Sequence, residues 1–287
     1  MKKAGVIGHP ITHTLSPKIH GYWLNKYGIK GSYEAYDVAP EGLENFIKNL
    51  AKNGFRGINV TIPHKQEVMK YIDEIHPDAL AIGAVNTIIV EDGKTYGHNT
   101  DSQGFMANLQ DCAPDIDLFE QKVVILGSGG ASRAVAVGLL EEGAKLVVAN
   151  RTRARAEEMR AHIIRELAET FPEVKEKDAI TLVDWEKRNE ALAGAALLVN
   201  TTSQGMKGEE ELLIDLAKLP KDAAVADIVY NPLKTKLLRE AETRGNIVVE
   251  GLGMLLYQAE PGFYAWFGKR PEVTKELRSN ISKELSK

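Results

Sequence analysis

Lys65 and Asp101 are the side chains of this sequence that read as a proton-transfer pair. Lys65 stands in NVTIPHKQE, two residues after Pro63, and Asp101 closes GHNTD. If Pro63 is the first helical residue, Lys65 lies in the first turn, where the helix dipole opposes a cation. A lysine held there loses its proton more easily, or stays charged beside an anion. Its long stem can equally carry the charge out to water. Asp101 also has two readings, as the N-cap of a helix Ser102–Gln110 or as the partner of a lysine in an acid/base pair at a domain junction. Thr14 and Ser16, in HPITHTLSP, offer two hydroxyls to a polyhydroxylated ligand or its carboxylate, although Ser16-Pro17 also reads as an N-cap with proline at the first helical position. Thr202 and Ser203 in NTTSQGM, and Tyr230 in DIVYNP, each follow a strand, so they fall at the carboxyl edge of a sheet, where ligands of open α/β folds bind. Asn86, in GAVNT, is by itself an ordinary residue at a strand start.

A second chemistry is written in KVVILGSGGASRAVAVGLLEEGAKLVVANR, residues 122–151. A β-branched run is followed by Gly127, Gly129 and Gly130, then by a small-residue helix from Ala131 to Glu141 and a strand from Lys145 to Ala149. The backbone N–H groups at that helix start suit the pyrophosphate of a dinucleotide. The third fingerprint position is Ser132 and not glycine. Where an NAD site places a carboxylate for the ribose hydroxyls, this chain has Asn150 and Arg151, with Arg153 and Arg155 just after. Arginines there grip a 2′-phosphate by charge-assisted hydrogen bonds, so the cofactor reads as NADP.

These motifs sit in a chain of 287 residues with net charge −4 and mixed signs, long enough for two domains that each bury a core. No basic run points to nucleic acid and no apolar run approaches the length of a membrane span, so the expected partner is a small soluble substrate. The single cysteine, Cys112, forms no intrachain disulfide, and MKKAGVIGHP lacks the apolar core of a signal peptide, which reads as a cytoplasmic protein. No metal site is expected.

The elements that must position these residues alternate in type. The first unit runs as a strand near Gly5–Gly8, a helix Pro17–Tyr27, a strand Tyr33–Val38, a helix Glu41–Asn53, a strand Gly57–Ile62, a helix from Pro63 to about Glu74, and a hairpin turning at Asp92-Gly93. The second alternates strand and helix to Val249, with strands near Ile180, Leu197 and Val225, which implies a parallel sheet covered on both faces. The last residues are helical, interrupted at Pro261-Gly262. They need cover for Leu255, Phe263 and Trp266, so they return to the first unit. The expected architecture is α/β with two domains: residues 1–101 plus 252–287 as a discontinuous α/β substrate-binding and catalytic domain, and 102–251 as a Rossmann-type, doubly wound NADP-binding domain.

The motifs GHPITHTLSPKIH, GINVTIPHK, GAVNT, GHNTD, LGSGGASRA, NRTRARA, NTTSQGM, DIVYNPLKT and GLGMLLYQAEPGF, in this order from Gly8 to Phe263, resemble those of the shikimate dehydrogenase family. The resemblance implies reversible reduction of 3-dehydroshikimate by NADPH, with Lys65 and Asp101 as the catalytic pair. It places Thr14, Ser16, Thr61, Asn86, Tyr230 and Gln258 around the substrate, and adds Thr152, Ile228 and Gly251 to the cofactor residues Gly127, Gly129, Gly130, Ala131, Asn150, Arg151, Arg155 and Thr202. Monomer and homodimer both remain open. So do quinate or dual quinate/shikimate dehydrogenation, often with NAD, and a non-catalytic homologue that binds NADP or shikimate and regulates a partner. Retention of both Lys65 and Asp101 argues against the last. Departures from the family pattern are Thr14 where serine is usual, His98 in place of an acidic residue before Asn-Thr-Asp, His64 before Lys65, and a longer segment at Ala161–Asn189.

Overall fold

The computed structural model describes residues 1–176 and 178–285; Lys177, inside the longer segment just named, lies outside them. The chain divides into two compact units, Met1–Asp101 with Leu256–Lys287, and Ser102–Leu255.

The first unit is built on strands β1 (Lys2–Gly8), β2 (Gly31–Asp37), β3 (Gly57–Val60), β4 (Glu74–Ile75), β5 (Thr87–Glu91) and β6 (Lys94–His98), in the order β2-β1-β3-β5-β6-β4. β1 pairs in parallel with β2 and β3, whereas β5 runs antiparallel to both β3 and β6, so the sheet is mixed. The β5–β6 hairpin turns at Asp92-Gly93, as its sequence signals. Helices Ser16–Lys26, Ala259–Phe267 and Lys275–Leu285 cover this sheet with Ile19, Trp23, Phe263, Trp266, Leu277 and Ile281 buried. Trp266 donates its indole N–H to the Ile88 carbonyl at 3.1 Å. A Cβ on Gly57 would fall 2.0 Å from that indole nitrogen, so only glycine lets the ring lie against the strand.

Local structure departs from the sequence reading at five places. Residues after Pro63 form turns and then a 3₁₀ segment Glu67–Tyr71, with no α-helix. The reason is tertiary: the Lys65 carbonyl accepts from the Val85 N–H at 2.8 Å, which takes away an i to i+4 acceptor. Lys65 is therefore not opposed by a helix dipole. Ser16 is the first residue of its helix, whose N-cap is Leu15, so its hydroxyl is not a cap. Asp101 likewise opens the helix Asp101–Cys112 and does not precede it. The C-terminal helices part at Gln258, and Pro261 is accommodated in the first turn of Ala259–Phe267, where a missing N–H costs nothing. The helix expected over Glu41–Asn53 is shorter, a 3₁₀ turn Pro40–Gly42 followed by Leu43–Lys48.

The second unit carries β7 (Lys122–Leu126), β8 (Lys145–Ala149), β9 (Ile180–Val183), β10 (Leu197–Asn200), β11 (Ala224–Asp227) and β12 (Ile247–Glu250). All pair in parallel, in the order β12-β11-β10-β7-β8-β9. This is the doubly wound order with its switch point between β7 and β10. Its strands read as unbroken apolar runs because both faces are covered: Val124, Leu126, Leu198 and Val225 pack with Leu237, Leu238 and Ala241 of the helix Lys236–Arg244.

Candidate active site

In the first unit the loops after β3 and β6 bring Lys65 and Asp101 into direct contact, Nζ donating to Asp101 Oδ2. Their side chains are 20% and 8% exposed, so the ion pair is largely withdrawn from water. Such a pair holds only if its remaining valences are satisfied. Asp101 Oδ1 accepts from Asn86 Nδ2 at 2.8 Å, and the Asp101 N–H donates to Asn99 Oδ1 at 2.9 Å. Asn86, 2% exposed, has its amide orientation fixed from both ends. Its Oδ1 accepts from the Thr100 N–H at 2.9 Å and the Thr87 hydroxyl at 2.9 Å, while Nδ2 also reaches Thr100 Oγ1 at 3.0 Å. Thr100 in turn donates to the Gln258 carbonyl at 2.8 Å, which ties the break between the C-terminal helices to the same cluster.

The network continues through the sheet. Asn59, at the centre of β3, donates to the Asn86 carbonyl at 3.1 Å and to Thr87 Oγ1 at 3.0 Å, and accepts from the Tyr33 hydroxyl at 2.6 Å. Burial raises the Tyr33 pKa well above its ordinary value, with the Ser16 hydroxyl pulling it down, so Ser16 sits beside this phenol. Thr14 Oγ1 donates to Ser16 Oγ at 3.3 Å. Thr14, Ser16, Asn86, Lys65 and Asp101 are thus joined by one polar chain, and Gln258 joins it through its backbone. Thr61 is placed at the end of β3 by its N–H to the Ile7 carbonyl, 2.9 Å. Tyr230 belongs to the other unit, in the loop after β11. Asn59, Thr87, Asn99 and Thr100 went unread in the sequence, although each is buried; Asn59 and Thr87 stand beside apolar strand residues, which is a signal, whereas Asn99 and Thr100 stand among polar residues after β6 and offer none. His64 is buried too, its ring bonded to the Val38 carbonyl at 2.7 Å. His98 stacks on His76 at 4.9 Å, and burial followed by the His76 charge lowers its pKa.

In the second unit the cofactor candidates line the carboxyl edge of the parallel sheet. Gly127 follows β7 with φ +113°, and a Cβ there would lie 2.7 Å from Thr201 Oγ1 and 3.3 Å from Thr202 Cγ2. Ser132, in place of the third glycine, is fully buried and donates to the Gly127 carbonyl at 2.8 Å, which fixes the turn. The helix Gly130–Glu141 starts with no side-chain cap at Gly129, where a Cβ would meet only open space, so its first N–H groups, Ala131 included, remain available to an anion. After β8, Asn150 Nδ2 donates to the Thr152 carbonyl at 2.8 Å, and that carbonyl also accepts from the Arg155 N–H at 3.1 Å. Arg153 is engaged with Glu157 and Asp184, at 3.1 and 3.0 Å. Arg151 and Arg155 are exposed and make no ion pair among the described residues. Ile228 follows β11, and Gly251, after β12, abuts its carbonyl. An uncapped helix start, a glycine cradle and two unengaged arginines with no carboxylate at the end of β8 fit a dinucleotide bearing a 2′-phosphate. Among the described residues no group of three or more His, Cys, Asp or Glu can hold a metal ion, and no helix is long and apolar enough to cross a membrane.

Comparison with known proteins agrees over both units. Residues 6–88 match the family model of the shikimate dehydrogenase substrate binding domain, and residues 110–230 that of shikimate / quinate 5-dehydrogenase. A protein of Methylobacterium radiotolerans named shikimate dehydrogenase (NADP(+)) is 52% identical over 288 residues, covering 99% of this chain and 98% of its own. A crystal structure of shikimate dehydrogenase in complex with NADP+ gives a TM-score of 0.90 at 37% identity, covering 100% of this chain and 96% of that one. The Thermus thermophilus shikimate 5-dehydrogenase in complex with NADP(H) and shikimate gives 0.82 at 36% identity, covering 99% and 100%. On these matches, which run through every motif described above, the chain belongs to the shikimate dehydrogenase family.

Proposed function

We propose that this chain is an NADP-dependent shikimate dehydrogenase, an oxidoreductase interconverting 3-dehydroshikimate and shikimate in aromatic amino acid (chorismate) biosynthesis, acting in the cytoplasm as a monomer or homodimer. The observation that carries the reading is the Lys65–Asp101 pair, largely withdrawn from solvent and braced by Asn86, with Lys65 and Asn86 inside the segment that matches a substrate-binding family model. Residues 1–101 with 252–287 form the substrate domain in this reading, and 102–251 the NADP domain. Shikimate lies against Thr14, Ser16, Thr61, Asn86, Tyr230 and Gln258. NADP is held by Gly127, Gly129, Gly130, Ala131, Asn150, Arg151, Thr152, Arg155, Thr202, Ile228 and Gly251.

When bound, NADPH supplies hydride to the substrate carbonyl carbon, and NADP+ takes it back in the reverse direction. Negative charge then gathers on the carbonyl oxygen. Lys65 Nζ answers it, by standing beside the oxygen as a fixed cation or by giving it a proton. Both uses need the ammonium aimed at one point. Asp101 aims it, and Asn86, bonded to the other carboxylate oxygen, stops Asp101 from swinging. The hydroxyls of Thr14 and Ser16 suit the ligand carboxylate, with the Thr14 methyl narrowing the space beside it.

The test follows absorbance of the reduced nicotinamide with purified protein, offering shikimate and quinate each with NADP and NAD. Turnover confined to shikimate with NADP is expected. Equal turnover with quinate or NAD refutes the assigned specificity, and folded protein inactive in all four mixtures refutes the activity.

A further inference from the structure

Asp227 ends β11 and is 2% exposed, yet it makes no ion pair among the described residues. Burial pushes its carboxyl up to about 6, against the pull of three hydrogen bonds. Those three bonds come from three different segments. Oδ1 accepts from Asn200 Nδ2 at 3.0 Å and from the Val229 N–H at 3.0 Å, and Oδ2 accepts from the Thr235 hydroxyl at 2.7 Å. Asn200, at the end of β10, is the register partner of Asp227 and is fully buried. With its Nδ2 held by the carboxylate, Asn200 turns Oδ1 to Thr202, accepting from the N–H at 3.1 Å and the hydroxyl at 2.7 Å. Thr202 Oγ1 then accepts from the Gln204 N–H at 3.2 Å. Thr235 caps the helix Lys236–Arg244 by accepting from the Leu238 N–H at 3.4 Å.

One carboxylate therefore fixes the loop that carries Thr202, the loop that carries Ile228 and Tyr230, and the start of the following helix. A hydrophobic side chain would release all three, and a hydroxyl has too few lone pairs spread too narrowly to hold them. We propose that Asp227 is a positioning residue for the cofactor: acting through Asn200 and the Val229 N–H, it holds Thr202 and Ile228 in the arrangement that grips NADP, while its own burial keeps it from the ligand. The inference rests on the NADP-dependent reading above.

Three variants test it: Asp227→Ala, Asp227→Asn, and Leu238→Ala, which opens the fully buried core beneath the same sheet while keeping the backbone N–H that Thr235 accepts. NADP affinity is measured by fluorescence titration without substrate, and KM, kcat and Tm are measured alongside. Asp227→Ala is expected to weaken NADP at least about tenfold in Kd and KM, the worth of about one buried hydrogen bond, with kcat at saturating NADP within about threefold. The amide keeps Oδ1 for its two N–H donors and turns Nδ2 to the Thr235 oxygen, so Asp227→Asn should recover affinity to within about threefold of wild type. Leu238→Ala should lose Tm and keep its NADP affinity. Wild-type affinity in Asp227→Ala, an equal loss in Leu238→Ala, or no recovery in Asp227→Asn each overturns the proposal. If Asp227→Ala does not fold, Asn200→Ser carries the test, with a loss of about fivefold expected and unchanged affinity refuting it. Wild-type turnover of shikimate is scored separately, so failure of the activity reading is distinct from failure of the Asp227 role.

Discussion

Replacing Asn86 by alanine strikes the first unit where its polar chain has the least slack. The substitution removes the acceptor of the Thr100 N–H and of the Thr87 hydroxyl, and the donor to Asp101 Oδ1. Thr100 loses less through its hydroxyl, which keeps the Gln258 carbonyl at 2.8 Å. The Thr100 N–H and Asp101 Oδ1 lose these partners at about 1–3 kcal/mol each, while the Thr87 hydroxyl keeps Thr100 Oγ1 at 3.4 Å. Water entering the vacated space would recover part of that, which puts the net loss at roughly 2–4 kcal/mol. For a chain of this size each kcal/mol moves the midpoint by about 2–4 °C, so a fall of roughly 4–16 °C is expected. Trp23 and Trp266, buried in that unit, report its unfolding by fluorescence. A midpoint within about 2 °C of wild type would refute the claim that Asn86 is the hub of the cluster.

Lys65→Ala should lower turnover by at least about a hundredfold, the lower end of acid–base contributions, and leave NADP affinity nearly unchanged; near-normal turnover would sink the assignment. Arg151→Ala should weaken NADP much more than NAD, since only NADP loses a phosphate contact, and equal losses in the two dissociation constants would remove the basis for the cofactor preference. His20 is fully buried with both ring nitrogens unpartnered among the described residues, and burial lowers its pKa from 6.5 to about 3. It stays neutral in the fold but takes a proton in the unfolded chain, so its term is fully present above pH 6.5 and is lost as pH falls toward 3. The stability gap between wild type and His20→Leu, from urea unfolding at several pH values, should shift against wild type by about 1.4 kcal/mol per unit between pH 6 and 4; a pH-independent gap would refute it.

What the sequence discloses here depends on the range of the interaction. The glycine turn, the alternating strands and helices of the second unit and the Asp92-Gly93 hairpin are local patterns, and the structure has them near where the pattern puts them. The segment after Pro63 misleads because its local signal is that of a helix start. A single long-range bond, from the Val85 N–H to the Lys65 carbonyl, outweighs it. Arg153 looks equivalent to Arg151 and Arg155 in the run NRTRARA, and only the fold brings Asp184 to its guanidinium. Asn59 and Asp227 are silent for a related reason. Each is one polar residue in an apolar strand, and the bonds from Tyr33 to Asn59 and from Asn200 to Asp227 reach across 26 and 27 residues.

The loss of the helix around Lys65 changes the physical basis of its proposed role. In a first helical turn the dipole would weaken the lysine's hold on its proton, which favours a neutral amine acting as a base. In a turn, its ammonium instead lies against the Asp101 carboxylate. Asp101 accepts from Asn86 on Oδ1 and from Lys65 on Oδ2. A cation so held is poised for the reduction direction, where charge develops on the substrate oxygen and a donor is wanted. If the proposed role is proton donation, oxidation of the alcohol returns the proton to the same nitrogen beside the carboxylate; if it is a fixed cation, the charge stays in place in both directions. The pair is therefore suited to a reversible reaction in a way that a lysine tuned by a helix dipole alone would not be.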